Sequence, residues 1–205
     1  MFWLDRIYGQ IEESLKNNIK EGKTLVVRDE KTASGRVHVG SMRALALHQA
    51  ISERLDEAKI PHVFKFEIND MDPMDGFPVY LPEEFRKYMG MPLYAIPSPD
   101  GKAKNFAEYF GDEYIDAIKT AGFTPEFYRG SELYLSGKMN DAIRLALDRA
   151  DRVRRIYKEV SGAERKDDWY PLSVICENCG KIGTTKVNAW DGTLVTYHCY
   201  PTAVE

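Results

Sequence analysis

A strand–helix–strand pattern within about 45 residues near the N-terminus constrains this chain more than any other feature. After Gly22, the β-branched run Thr24-Leu25-Val26-Val27 reads as a short buried strand. Val39, Met42, Ala46, Ala50, Leu55 and Ala58 mark a helix that ends near Lys59, ahead of Pro61. His62 to Ile68 then alternates Val63 and Lys65 with Phe64 and Phe66, a second strand. Strands joined through one helix lie parallel with a right-handed crossover, so the fold class expected is α/β with a parallel sheet. In such sheets ligands bind outside the carboxyl ends of the strands.

Around this unit, Leu4, Ile7, Ile11, Leu15 and Ile19 predict a leading helix over 4–19, and the polar segment Asp29 to Arg36 has no clear period. Residues 73–101 are dense in proline and read as an irregular excursion with a short helix near Glu83 to Met89. A helix from Ala103 to Ala121, a third strand at Pro125 to Tyr128 and one long helix from Met139 to Val160 follow. Near residue 165 the character changes. Lys181 to Ala189 and Thr193 to His198 are β-rich and flank Asp191-Gly192, a strong hairpin signal. The expected division is 1–165 and 166–205.

The 205 residues allow one large domain or one with a small appendage. A hydrophobic content of 43% with 12% aromatic residues is enough to build a core, which argues against disorder. No stretch approaches the roughly 20 apolar residues of a membrane helix, and no signal-peptide h-region is present. A net charge of −4 argues against a generally basic nucleic-acid binder but leaves room for a local basic face.

Three segments are candidates for chemistry. Thr32-Ala33-Ser34-Gly35-Arg36-Val37-His38-Val39-Gly40-Ser41 falls between the first strand and its helix. Small residues there let backbone approach a nucleotide, a helix start favours phosphate, and an imidazole stabilises charge during displacement at phosphorus. It is neither a Walker loop nor a G-x-G-x-x-G fingerprint, and the alternative is a plain connection with a helix cap. Asn69-Asp70-Met71-Asp72 closes the second strand with carboxylates suited to a cation; Pro73 spoils any calcium loop, and turn formation is the alternative, preferred for Asp75 before Gly76. Cys176-x-x-Cys179 with Cys199 beyond the hairpin supplies three ligands of a structural zinc ribbon that needs four. His198 is a poor fourth, because neighbours on a strand point to opposite faces. Arginines along 144–155 and Lys158 either meet phosphates or form a solvated face with Asp148, Asp151 and Glu159. Lys138-Met139-Asn140 reads as a helix start; His48 and His62 read as an exposed helix residue and a strand start.

His38-Val39-Gly40-Ser41, preceded by Thr32-Ala33-Ser34-Gly35, resembles the HIGH signature of class I aminoacyl-tRNA synthetases. With Asn69-Asp70-Met71-Asp72, Gly90-Met91-Pro92, Ser131-Glu132-Leu133-Tyr134 and Trp169-Tyr170-Pro171 in order, the chain is similar to the N-terminal part of the archaeal-type class I lysyl-tRNA synthetases. The resemblance implies an α/β catalytic domain with a Rossmann-type parallel sheet and a small zinc-ribbon-like β insertion, acting in the cytoplasm as a monomer. It implies ATP-dependent activation of lysine, usually with Mg²⁺, followed by transfer to tRNA(Lys), with no membrane partner. His38, Gly40 and Ser41 are then the catalytic residues, and Thr32, Ser34 and Gly35 share ATP binding with them. Thr32, Asp70 and Asp72 are the expected lysine contacts, the aspartates through its ammonium, and Cys176, Cys179 and Cys199 the structural Zn²⁺ ligands.

Three departures accompany the resemblance. No KMSKS-like loop or anticodon-binding region follows, so a fragment with an incomplete adenylation site is expected. Some relatives carry Cys and His metal ligands where this chain has Ser98, Lys102, Ala103 and Tyr109, and no metal is expected there. The chain also ends six residues past Cys199, where relatives continue with another Cys or His. The competing functions are a non-catalytic zinc-containing RNA-binding module and a synthetase-like nucleotidyltransferase with another substrate.

Overall fold

The computed structural model describes residues 2–200, so the last five residues of the expected 166–205 unit lie outside it. The helix α1 (Trp3–Lys20) leads into β1 (Leu25–Thr32), α2 (Met42–Glu57) and β2 (His62–Asn69). Next come α3 (Phe106–Thr120), β3 (Glu126–Arg129) and α4 (Gly130–Leu135). The chain continues through α5 (Asn140–Asp148), α6 (Ala150–Ser161), β4 (Thr185–Trp190) and β5 (Val195–Cys199). β1, β2 and β3 form a parallel sheet in that order, in register from Leu25 beside His62 to Thr32 beside Asn69. The α/β class expected from the sequence is what the chain adopts, and the carboxyl ends of β1 and β2 finish side by side.

β1 runs five residues beyond the apolar run that announced it, through a segment that reads as polar loop. Its charges are accommodated by pairing across the sheet. On one face Leu25 and Val27 enter the core, and Asp29 meets His48 of α2 at 3.2 Å. On the other, Arg28 reaches Glu30 at 2.8 Å and also bonds Glu67 of β2. His48 is therefore half-buried rather than an exposed helix residue.

The core lies between the sheet, α2 and α3. Leu45, Phe66, Ile68, Phe106, Tyr114 and Ile118 are essentially inaccessible, each burial contributing roughly 1.5–3 kcal/mol against exposure. α3 begins at Phe106 rather than Ala103 because Asn105 caps it, its side-chain oxygen accepting the Glu108 amide at 2.8 Å. The proline-rich excursion is irregular but anchored, since Leu93 and Tyr94 donate to the backbone carbonyls of Asp72 and Asp70 at 3.0 and 2.9 Å. It fixes the carboxyl end of β2.

The single long helix expected over 139–160 is two helices, broken at Arg149 where φ is −117° and ψ is 26°. The 4,3 apolar spacing continues through the break, so it cannot reveal it: Leu147 and Ala150 are both buried at the joint. The hairpin forms where expected, with Gly192 at φ +96° and the Asp191 carboxylate accepting the Thr193 and Leu194 amides at 2.8 Å. Ile182 and Gly183 donate to the Gly90 carbonyl at 2.8 and 3.0 Å, tying the cysteine region to the proline-rich excursion. No helix among the described residues is long and apolar enough to cross a membrane.

Candidate active site and cysteine cluster

The connection from β1 to α2 passes through one 3₁₀ turn, Val39–Ser41, which continues directly into α2. His38 caps it, its Nδ1 accepting the Gly40 amide at 3.1 Å. A nitrogen that accepts carries no proton, so the ring proton sits on Nε2, the nitrogen left to donate. A Cβ on Gly40 would stand 2.7 Å from the imidazole, so only glycine keeps the ring folded over its own turn. The Ser41 carbonyl accepts the Tyr114 hydroxyl at 2.8 Å. Burial first, then the charge of Asp29, pushes Tyr114 up to about 12, so it remains a donor at neutral pH. Gly35 passes under Tyr80, whose hydroxyl accepts the Arg36 amide at 2.7 Å and would lie 2.5 Å from any Cβ at Gly35. Ser34 is half-buried in the same connection.

Thr32 and Asp72, far apart in sequence, meet at the strand ends, where the threonine hydroxyl donates to the carboxylate at 2.7 Å. Asp72 lines a cleft of about 640 Å³ together with Glu30, Glu67, Asn69, Tyr134 and Met139. Its floor is the outer face of the sheet. Arg28 donates to Tyr128 at 2.6 Å, and Tyr128 donates to Glu67 at 2.8 Å. One guanidinium therefore faces three carboxylates, and the cleft favours a cation.

Asp70 is placed differently from Asp72. It is only 2% exposed, and its two oxygens accept the Ser131 amide at 2.7 Å and the Ser131 hydroxyl at 2.5 Å. The Asp70 carboxylate thus holds the start of α4 against β2, while Asp72 is the one of the pair that lines the cleft. Gly130 makes that approach possible, since a Cβ there would lie 2.9 Å from the Glu67 carboxylate. Arg28, Glu30, Glu67 and Tyr128 were not singled out by the sequence, because charged residues inside a strand look like loop. Val26 is apolar yet exposed and residues 28–31 are all charged, so no apolar period in β1 marks Arg28 or Glu30.

Cys176, Cys179 and Cys199 form a separate cluster, their sulfur atoms all within 4.8 Å of one another. Cys179 and Cys199 are 3.7 Å apart, close to the separation that tetrahedral zinc with bonds of about 2.3 Å imposes on two sulfurs. The Cys179 and Asn178 amides point at Cys176 and draw its thiol down to about 7. The three cysteines therefore fit a tetrahedral metal, for which they could supply three ligands. His198 is not in the cluster; it is exposed on β5, its ring 4.4 Å from that of Tyr200.

A parallel sheet with a His-x-Gly turn leading from its first strand into its first crossover helix defines a Rossmann-type domain of the class I synthetase kind. The family model of "tRNA synthetases class I (K)" matches residues 1–204, and the chain belongs to that family. It is 32% identical to the lysine–tRNA ligase of Archaeoglobus fulgidus over 97% of this chain and 39% of that protein. It is 36% identical to the lysine–tRNA ligase of Methanosarcina barkeri strain Fusaro, over 96% of this chain and 36% of that protein. For the lysine–tRNA ligase of Methanococcus maripaludis the identity is 35%, over 97% and 37% respectively. The chain thus spans between a third and two-fifths of the length of these relatives.

Proposed function

We propose that this chain is the nucleotide- and lysine-binding part of a lysine–tRNA ligase, which activates lysine with ATP and transfers it to tRNA(Lys). The observation that carries the reading is the His38 turn, opening from the carboxyl end of β1 while Asp72 lines an acidic cleft at the end of β2. In the reaction the lysine carboxylate attacks the α-phosphorus and pyrophosphate leaves, giving lysyl-adenylate. No protein nucleophile is needed, so positioning and electrostatics supply the acceleration. His38 donates from Nε2 to a phosphate oxygen, and the positive end of the α2 dipole adds its partial charge. Gly40 and Ser41 set the turn, while Thr32, Ser34 and Gly35 line the approach. Asp72, with Glu30 and Glu67 behind it, holds the lysine ammonium; Asp70 acts only by fixing α4.

Magnesium enters with ATP and balances phosphate charge. Zinc, when bound by Cys176, Cys179 and Cys199, cross-links the C-x-x-C turn to β5 and is structural. The reading includes a cytoplasmic monomer, with residues 1–165 as the nucleotide-binding region and 166–205 as the zinc-ribbon-like hairpin.

ATP–pyrophosphate exchange by the full-length gene product, with a panel of amino acids, tests this, because the adenylation site of this part alone is expected to be incomplete. Exchange that depends on lysine is expected, and His38→Ala lowers it on the order of 100-fold, the usual effect of removing one donor to a developing charge. Exchange driven by another amino acid overturns the lysine assignment. Salt-dependent RNA binding with neither exchange nor ATP binding establishes the non-catalytic module instead.

A further inference from the structure

The connection from β1 to α2 is irregular backbone held at few points. At its start the Ala33 amide donates to the Asn69 carbonyl at 3.2 Å, and at its end the Tyr114 hydroxyl donates to the Ser41 carbonyl. Among the described residues, one hydrogen bond reaches the stretch between them from outside the connection. It is the bond from the Arg36 amide to the Tyr80 hydroxyl, and Tyr80 belongs to the proline-rich excursion.

The excursion delivers this tyrosine on a strap, residues 75–80, stretched between two buried anchors, Met74 and Leu81. The Met74 amide donates to the Met91 carbonyl at 2.8 Å, and the Leu81 amide to that of Pro78 at 3.0 Å. Val79 beside it is exposed, so the strap is not itself part of the core. The Tyr80 ring has its centroid 6.1 Å from that of buried Phe110 on α3, and the Arg36 guanidinium lies 5.8 Å from the Tyr80 centroid. Arg36 Nε in turn stands 3.8 Å from Glu113 of the same helix. Ring and guanidinium thus set the direction from which the hydroxyl approaches. Gly35 lets it come close: a Cβ there would meet the hydroxyl at 2.5 Å, Pro78 Cγ at 3.4 Å and the ring carbon behind the hydroxyl at 3.8 Å. Tyr80 is half-exposed and Arg36 exposed, so water can replace the hydroxyl at the amide with little cost to the fold. The consequence of the bond falls on the path of the connection, two residues before His38.

We propose that Tyr80 is a positioning residue for the nucleotide: its hydroxyl fixes the backbone at Gly35 and Arg36 and so aims His38 at the phosphates. The inference rests on the reading of the His38 turn as the ATP contact, and it adds a residue that touches neither substrate. Electrostatic stabilisation depends on the donor standing where charge develops, and a small misplacement of a reacting group is costly in rate. The strap therefore acts on ATP and leaves the lysine site alone, since Asp72 is held from the other side by Thr32 at 2.7 Å.

The test is a double-mutant cycle on the full-length gene product, read as ATP–pyrophosphate exchange. Tyr80→Phe keeps the ring and removes the hydroxyl, so kcat/KM for ATP is expected to fall roughly three- to tenfold. KM for lysine and the melting temperature are expected to stay unchanged. Gly35→Ala alone pushes a methyl group into the hydroxyl and is expected to cost roughly tenfold or more. In the Tyr80→Phe background the same change meets nothing nearer than 3.4 Å, so the two losses are expected not to multiply. A readout without any variant is amide hydrogen exchange of this chain, in which the Arg36 amide is expected to be protected. Unchanged kcat/KM for ATP in Tyr80→Phe, an equal change in KM for lysine, losses that multiply, or an unprotected Arg36 amide overturns the proposal. Lysine-dependent exchange that Tyr80→Phe does not alter sinks this inference alone. Exchange driven by another amino acid, with the Tyr80→Phe loss intact, sinks the lysine reading alone, and no exchange with any amino acid overturns both.

Discussion

Asp70 and Asp72 stand two positions apart, yet the fold sets them in different surroundings. Asp72 reaches a solvent-filled cleft, whereas Asp70 is enclosed and bonded twice to Ser131. Exchanging one Asp70 oxygen for an amide turns an acceptor toward Ser131 into a donor. Asp70→Asn is therefore expected to cost about 2 kcal/mol of stability, measurable by urea unfolding. Asp72→Asn should leave stability nearly unchanged and weaken lysine binding. Tyr114 gives a pH signature at the same scale. Its hydroxyl is raised in the folded chain, so its contribution is complete below pH 10 and fades as pH climbs through about 12. Thermal melts should show Tyr114→Phe less stable than the parent at pH 8, with the gap shrinking in strongly alkaline buffer. Neither distinction was legible in sequence. The motif residues His38, Gly40 and Ser41 were legible as a segment, because the small residues and the strand–helix junction mark it, but the hydrogen bond that selects Nε2 needs coordinates.

At the scale of elements, β2, α2 and the hairpin could be read because apolar period and turn chemistry agree in each. β1 was half readable, since Arg28 and Glu30 face a cleft and the core signal survives only at Leu25 and Val27. The break at Arg149 was hidden, with no proline or glycine to mark it and an apolar stripe that runs straight through. α4 is the element on which the cleft most depends: it is six residues long and carries Tyr134 into the lining. Its start touches β2 through Gly130. Gly130→Ala places a methyl group 2.9 Å from the Glu67 carboxylate. We expect about 1–3 kcal/mol of destabilisation with weaker lysine binding, read from denaturant melts and calorimetry.

For the whole molecule, two regions with little regular structure turn out to be one assembly. The proline-rich excursion grips the end of β2 through Asp70 and Asp72, and Gly90 within it accepts two amides from the cysteine segment. The cysteine cluster is thereby linked to the cleft by a short run of backbone bonds. Metal analysis is expected to find about one zinc per chain, and Cys179→Ser to lower that content and loosen the hairpin. The central claim is that the crevice and the cleft together recognise lysyl-adenylate. The most direct measurement is calorimetric titration of this chain with a non-hydrolysable sulfamoyl analogue of lysyl-adenylate against its glutamyl counterpart. The account predicts that the lysyl analogue binds at least roughly tenfold more tightly, and that Asp72→Asn removes this preference while His38→Ala weakens both analogues alike. Equal affinity for the two analogues, or a preference that survives Asp72→Asn, would contradict it.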